Sequence, residues 1–160
     1  MRRIVSLAVV GCLTVLVVML NAGGTQATAP SGSGATFTYR ATVDPYHFDS
    51  NDYKVFQKNP QDVVMRQITI APGGDTGWHF HPGPTFVLVV QGTLSFYQGN
   101  DPTCTAARYS AGQGFVETPG QVHIARNEGG TTVILVVTFL DVPVGGAFRL
   151  DAPRPGNCPF

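Results

Sequence analysis

What most limits the fold of this chain is the way its apolar residues are cut into short runs. Stretches rich in Val, Ile, Phe and Thr alternate with Gly, Pro, Asn and Asp along most of the 160 residues. The 19 Gly and 12 Pro are spread along the chain rather than gathered in one segment. No stretch beyond the N-terminus shows a convincing amphipathic helical pattern. Chains punctuated in this way form strands joined by turns, so the expected class is all-β. About eight to ten short strands are expected, enough for a sandwich or jelly roll that covers its edges by doubling the sheet.

The expected strands are Phe37 to Val43, Val63 to Ile70, Trp78 to His81, Thr85 to Val90, Thr93 to Tyr97, Phe115 to Thr118, Val122 to Arg126 and Thr131 to Leu140. Gln91-Gly92 makes a hairpin turn between the fourth and fifth of these, and Asn127-Glu128-Gly129-Gly130 turns the chain before the last. Thr85 to Val90 is continuously apolar after its first residue, as expected of a strand packed on both faces. Residues 30–35 read as a flexible Gly/Ser linker, and residues 36–160 as one domain with a C-terminal tail. Asp44 to Asp62 is polar and aperiodic, a long loop placed to fold over one mouth of a barrel.

The first 29 residues read as an export signal: Met1-Arg2-Arg3, an apolar run from Ile4 to Leu20, then small residues up to Ala27-Thr28-Ala29. Cleavage is expected near residues 27–29, since Pro30 is an awkward neighbour and a cut after Ala27 competes with one after Ala29. The expected location is extracellular. The competing reading is an uncleaved membrane anchor over residues 4–20, a run slightly short of the ~20 residues that span a bilayer. Val9-Val10-Gly11-Cys12 also resembles a lipoprotein box, but apolar chain continues beyond it. Of the three Cys, Cys12 leaves with a cleaved signal. Cys104 and Cys158 remain in an oxidising compartment, where a structural disulfide is the expected outcome. A net charge of +0 with 12% charged residues provides no footprint for nucleic acid.

The chemistry concentrates in Gly73-Gly74-Asp75-Thr76-Gly77-Trp78-His79-Phe80-His81. Histidines two apart on a strand share a face and sit about 6.5–7 Å apart along the backbone, so both imidazoles can reach one ion. His123 can join them from a later strand. A lone histidine is more often a surface residue or a hydrogen-bonded core residue, but three arranged in this way favour metal binding.

Together these residues resemble the cupin superfamily. Its first motif is Gly, five residues, His-x-His, three or four residues, Glu, six residues, Gly. Gly73, His79, His81 and Gly92 fall on it. Its second motif is Gly, five residues, Pro-x-Gly, two residues, His, three residues, Asn, matched by Gly112, Gly120, His123 and Asn127. The resemblance implies a single-domain double-stranded β-helix, a jelly-roll barrel, around one metal ion. Two positions depart from the pattern. The motif Glu is Thr85, a poor ligand, and the motif Pro is Thr118, with Pro119 beside it. Glu117 is the nearest Glu, and two readings stay open for it. It enters the coordination sphere or hydrogen-bonds a ligand histidine, or it faces solvent or pairs with Arg126 or Arg108.

The implied metal ligands are His79, His81 and His123, with Glu117 as a fourth candidate and a divalent transition ion as cofactor: Fe, Mn, Zn, Ni or Cu. Three neutral histidines without a carboxylate leave a doubly charged site that favours anionic substrates or, on iron, dioxygen. Loss of metal is expected below about pH 6, near the ordinary histidine pKa. Thr85, Trp78, Phe80, Phe86 and Asn127 are candidates to line the pocket, as is Phe96, although aromatic residues in a small barrel are more often core. Tyr46, His47 and Tyr53 lie in the polar loop, where His47 is a candidate lid residue or extra ligand against a plain surface role. No residue presents itself as catalytic. The resulting reading is a secreted metal-binding cupin acting on a small molecule, as a dioxygenase or related metal-dependent enzyme. The alternative is a non-catalytic ligand-binding module with a structural metal or none. Contact with a membrane is confined to the N-terminal segment if uncleaved, and a homodimer is compatible with the sequence.

Overall fold

Gly and Pro turns cut the chain into strands throughout, and the computed structural model, which describes residues 26–160, contains no helix among them. The strands are β1 (Ser31–Val43), β2 (Tyr46–Ser50), β3 (Tyr53–Gln57), β4 (Gln61–Asp75), β5 (His79–Phe80) and β6 (Thr85–Gln91). They continue with β7 (Thr93–Gln98), β8 (Ala107–Ser110), β9 (Gly114–Glu117), β10 (His123–Arg126), β11 (Val133–Val142) and β12 (Leu150–Asp151). All but β2 and β3 join one sheet, ordered β12-β5-β10-β4-β11-β6-β9, with β1 added on β4, β7 on β10 and β8 on β7. The pairings are antiparallel, and the sheet curls into a nearly closed barrel of double-stranded β-helix type. None of the helices of the described residues is long and apolar enough to cross a membrane, there being no helix at all.

The core follows from alternation along these strands. Val64, Val87, Val89, Leu135, Val137 and Phe139 point inward from β4, β6 and β11 and pack with Leu94 and Phe96 of β7. A second cluster gathers Trp78, Tyr97, Ile124 and Cys158 at the C-terminal tail. Cys104 and Cys158 are joined in a disulfide, with their Cα atoms 5.4 Å apart. It fixes the tail so that Phe160 stacks on Trp78 and its carbonyl accepts the indole N–H at 2.9 Å.

Four expectations need correction. Residues 31–35 are no linker: they form the first part of β1 and pair with β4, Ala35 lying opposite Ile68. The order reaches further back, since Ala27 bridges Pro153 and Thr28 Oγ1 accepts the Trp78 N–H at 2.6 Å. Residues 44–62 are no loop over the barrel mouth; β2 and β3 make a separate hairpin with Tyr46, Phe48, Tyr53 and Phe56 exposed. Nor is β6 packed on both faces. Thr85, Val87 and Val89 are buried, whereas Phe86, Leu88 and Val90 are 39%, 55% and 56% exposed. An apolar run does not reveal how many layers cover it, and here only one does. The short strands β8 and β12 went unread because each is held by its partner, β8 by β7 and β12 by the distant β5, rather than by its own pattern.

Candidate metal centre

The site is built where β5 meets β10. His79 and His123 oppose each other directly in the antiparallel register, and His81 follows β5 on the same face as His79. Their ring centroids lie 4.5 Å (His79–His123), 4.9 Å (His79–His81) and 5.1 Å (His81–His123) apart. All three are buried, and one ring nitrogen from each lies within 4.8 Å of the other two. The turn before β5 explains how the chain can do this. Gly77 adopts φ 68°, and a Cβ there would stand 2.4 Å from the Thr28 carbonyl oxygen. Only glycine fits that approach, and its own carbonyl then receives the His79 ring.

Backbone carbonyls settle the orientation of each imidazole. Nδ1 of His79, His81 and His123 meets the carbonyl oxygens of Gly77, Phe148 and Gln121 at 2.8, 2.6 and 2.9 Å. A carbonyl only accepts, so each Nδ1 carries the proton and donates it. Each ring therefore turns its Nε2 toward the centre. Burial, reinforced by the neighbouring histidines, holds His79 well below the usual histidine pKa. His123 is lowered for the same leading reason, with Glu117 pulling the other way.

Glu117 closes the set. Its Oε2 lies 3.2 Å from His81 Nε2 and its Oε1 3.4 Å from His123 Nε2, with the side chain only 7% exposed. Of the two readings for Glu117, solvent exposure and pairing with Arg126 or Arg108 are thus excluded; Arg108 pairs with Glu128 instead. Glu117 stands directly across from Thr85 in the β6–β9 register. A carboxylate absent at Thr85 thus stands beside the histidines on the neighbouring strand, one step sideways in the sheet.

The donor set fits a cation. Both Glu117 Oε2 and His123 Nε2 are buried without a hydrogen-bond partner. Lone pairs of neutral imidazoles and an anionic carboxylate face one another across 3.2–3.4 Å. With no donor between them, that arrangement is unfavourable until a cation or protons occupy the middle. Neutral imidazoles and one carboxylate are the ligand types that first-row divalent ions take.

A cavity of about 220 Å³ opens from the centre. Its walls are mostly apolar, with Val87, Leu94, Leu135, Val137 and Phe139 from the barrel interior beside His79, His81 and Glu117. The pocket residues expected from sequence are not among its lining. Trp78 turns to the tail cluster, Phe86 faces outward, and Phe80 sits on the opposite side of β5 from the histidines. Asn127 is buried as a turn clamp: its side-chain amide donates to the carbonyls of Ile70 and Thr131, each at 2.9 Å. Thr85 lies behind Glu117 rather than in the cavity wall. Phe96 packs against the His123 ring, at 5.1 Å between centroids. His47 is exposed on the β2–β3 hairpin, away from the other histidines.

Two charged cavity residues were missed in the sequence, Arg66 and Arg149. Arg66 had a signal, being on the same side of β4 as Val64, Ile68 and Ile70, where a charge faces the barrel interior. Arg149 had none, because it lies in an irregular segment after β11. That segment clamps the first histidine turn, with the Phe148 carbonyl on His81 and an Arg149 N–H donated to the Thr76 carbonyl at 2.6 Å.

Known proteins place the barrel. The family model for the cupin domain matches residues 66–139. Among solved structures, a recombinant oxalate oxidase in complex with glycolate is 31% identical over 48% of this chain and 40% of its own, with a TM-score of 0.41. The chain thus spans about 40% of the length of that oxidase. An uncharacterized conserved protein with a double-stranded beta-helix domain from Klebsiella pneumoniae is 24% identical over 68% of this chain and 84% of its own, with a TM-score of 0.45. The formate complex of Lactobacillus farciminis oxalate decarboxylase is 23% identical over 56% of this chain and 26% of its own, with a TM-score of 0.47. No curated protein matches the chain. Residues 66–139, which contain both histidine turns and the strands that join them, match the family model for the cupin domain.

Proposed function

We propose that this protein is an exported metal-binding cupin that holds a divalent transition ion on His79, His81, His123 and Glu117 and acts on a compact organic molecule in the adjoining cavity. One observation carries the reading. Three imidazoles, each fixed by a carbonyl on Nδ1, converge on one buried centre, where the Nε2 atoms of His81 and His123 face a carboxylate whose Oε2 has no hydrogen-bond partner. Fe, Mn, Zn, Ni and Cu all accept such ligands. A bound ion would supply Lewis acidity or, if redox-active, one-electron chemistry with dioxygen. The protein's part is to keep the ring tautomers fixed, to exclude water with the apolar walls, and to leave a coordination position open toward the cavity. The non-catalytic alternative, a binding module with a structural metal or none, is separated from the enzyme by the activity test below; Glu117 across from Thr85 supports metal binding under either reading.

Export would leave the fold intact if the signal is cut before Thr28, whose hydroxyl accepts the Trp78 N–H. A cut after Ala29 would remove that contact, so of the two sites the one after Ala27 is favoured. Mass spectrometry of the secreted chain reads the new N-terminus.

The reading is tested by elemental analysis of protein prepared without an affinity tag. About one equivalent of a divalent metal is expected, absent from the His79→Ala variant. Metal-free wild type that fails to take up Mn, Fe, Zn, Ni or Cu on titration would remove the proposal. Iron loading followed by oxygen uptake on a panel of small organic acids then separates a dioxygenase from a binding module.

A further inference from the structure

The cavity holds two guanidinium groups that the metal centre does not use. Arg66 is half-buried on the inner side of β4; its Nε donates to Thr38 Oγ1 at 3.1 Å and its guanidinium carbon sits 5.1 Å from the Phe148 ring centroid. No carboxylate among the described residues lies within ion-pairing distance of it. Arg149 donates to the Thr76 carbonyl and pairs with Asp151, whose side chain is half-exposed and lies outside the cavity lining. Both arginines line the same space as His79, His81 and Glu117. Burial lowers the pKa of Arg66, and Arg149 adds to it, as expected of two guanidinium groups sharing one poorly solvated cavity.

Glu117, the cavity's only acidic lining residue, is already engaged with the histidines. Arg66 is therefore the guanidinium in this space without an anionic partner among the described residues. A half-buried guanidinium without an anionic partner is costly, and its planar fork of N–H donors matches a carboxylate. The remaining walls are mostly aliphatic side chains and Phe139, with Ser33 and Thr76 among them. At about 220 Å³ the cavity is smaller than pockets for drug-sized ligands.

We infer that the cavity binds a small organic carboxylate, with its anionic end on Arg66 and Arg149 and its compact apolar body against Leu135, Val137 and Phe139. The inference deepens the proposed function and rests on it for the end of the ligand that reaches the histidines. The arginine site itself belongs to the protein with or without metal.

Benzoate, its uncharged counterpart benzamide, and inorganic phosphate are titrated calorimetrically into the whole chain, metal-loaded and metal-free, with metal content measured on the same samples. Benzoate is expected to bind both forms, and benzamide about ten- to a hundredfold more weakly, as for loss of a charge-assisted hydrogen bond. Arg66→Met and Arg149→Met should each weaken benzoate by a similar factor while leaving metal content unchanged, and Arg149→Lys should recover part of the loss. Equal binding of benzoate and benzamide, no benzoate binding by either form, or unchanged affinity in both Met variants would overturn the inference. So would phosphate binding as tight as benzoate, since the apolar body would then contribute nothing. The comparison of benzoate with benzamide needs only wild type, so a variant that fails to fold does not spoil the test. Benzoate binding without any metal uptake would defeat the metal reading and leave the carboxylate site standing.

Discussion

The two histidine turns of the barrel differ in what they contribute. The first, from Gly73 to Gly92, provides His79 and His81 but places Thr85 where a carboxylate would be. The second, from Gly112 to Asn127, provides His123 and, from the end of β9, Glu117. The first is thus rich in nitrogen and lacks charge, and the second supplies the charge from the position facing Thr85. A coordination set is satisfied in space, and an antiparallel sheet brings the residue opposite almost as near as the residue itself. This also alters the expected charge of the site. With Glu117 present, a divalent ion would no longer carry an uncompensated double charge, and attraction for anions falls instead to Arg66 and Arg149.

Removing one histidine from either turn should break both halves together. His79→Ala or His123→Ala is expected to reduce metal affinity by more than the roughly 10–100-fold typical of residues that only orient a ligand. Competition with a chelator measures this. If His123→Ala holds metal as tightly as wild type, the second turn is not part of the centre.

Transferring the carboxylate back across the sheet sharpens the contrast. Glu117→Gln should weaken metal binding by about ten- to a hundredfold. The double variant Thr85→Glu with Glu117→Thr restores the acidic residue to the first turn and should recover most of that loss. A double variant no better than Glu117→Thr alone would mean that the two positions are not equivalent.

The ends of the two turns offer a smaller test. The first ends on Gly92 and the second on Asn127, whose side chain makes three hydrogen bonds within the fold. Asn127→Ala leaves buried carbonyls unsatisfied and should cost about 1–3 kcal/mol in urea unfolding. Metal affinity of the folded fraction should be nearly unchanged, unlike that of the histidine variants.

The most gradual effect is that of pH on the metal-free protein. His79 and His123 have folded pKa values below the ordinary 6.5. Between 6.5 and those lowered values the unfolded chain binds more protons, so stability falls as pH drops through this window. Denaturation midpoints at pH 7 and pH 5 should show the decline. Glu117→Gln should steepen it, because Glu117 is what draws the His123 pKa back up. The same lowering shifts metal release to a pH below the value near 6 expected for unperturbed histidine. Release at or above pH 6.5 would contradict the burial seen here.

Much of this was legible along the chain. The His79-x-His81 pair and His123 were readable because strand alternation converts spacing into facing direction, and β6, β7 and β10 were bounded by Gly and Asn turns. Residues 31–35 were misread because Gly and Ser carry little strand signal of their own, yet β4 offers them an open edge. The outward side of β6 was misread because hydrophobicity does not distinguish a covered face from a bare one. Trp78 and Phe86 looked like pocket residues only because they neighbour ligand candidates in sequence. On a strand, adjacent residues point to opposite faces.

The sequence by itself determined the class of the fold, the three histidines and the two cysteines available to pair, since each depends on local period, residue type or count. Only the tertiary structure decided the position of Glu117 beside the histidines, the identity of the cavity wall and the arrival of Arg149. Those three depend on strand register and on segments far apart in the chain, and no local pattern encodes which residue will stand opposite another.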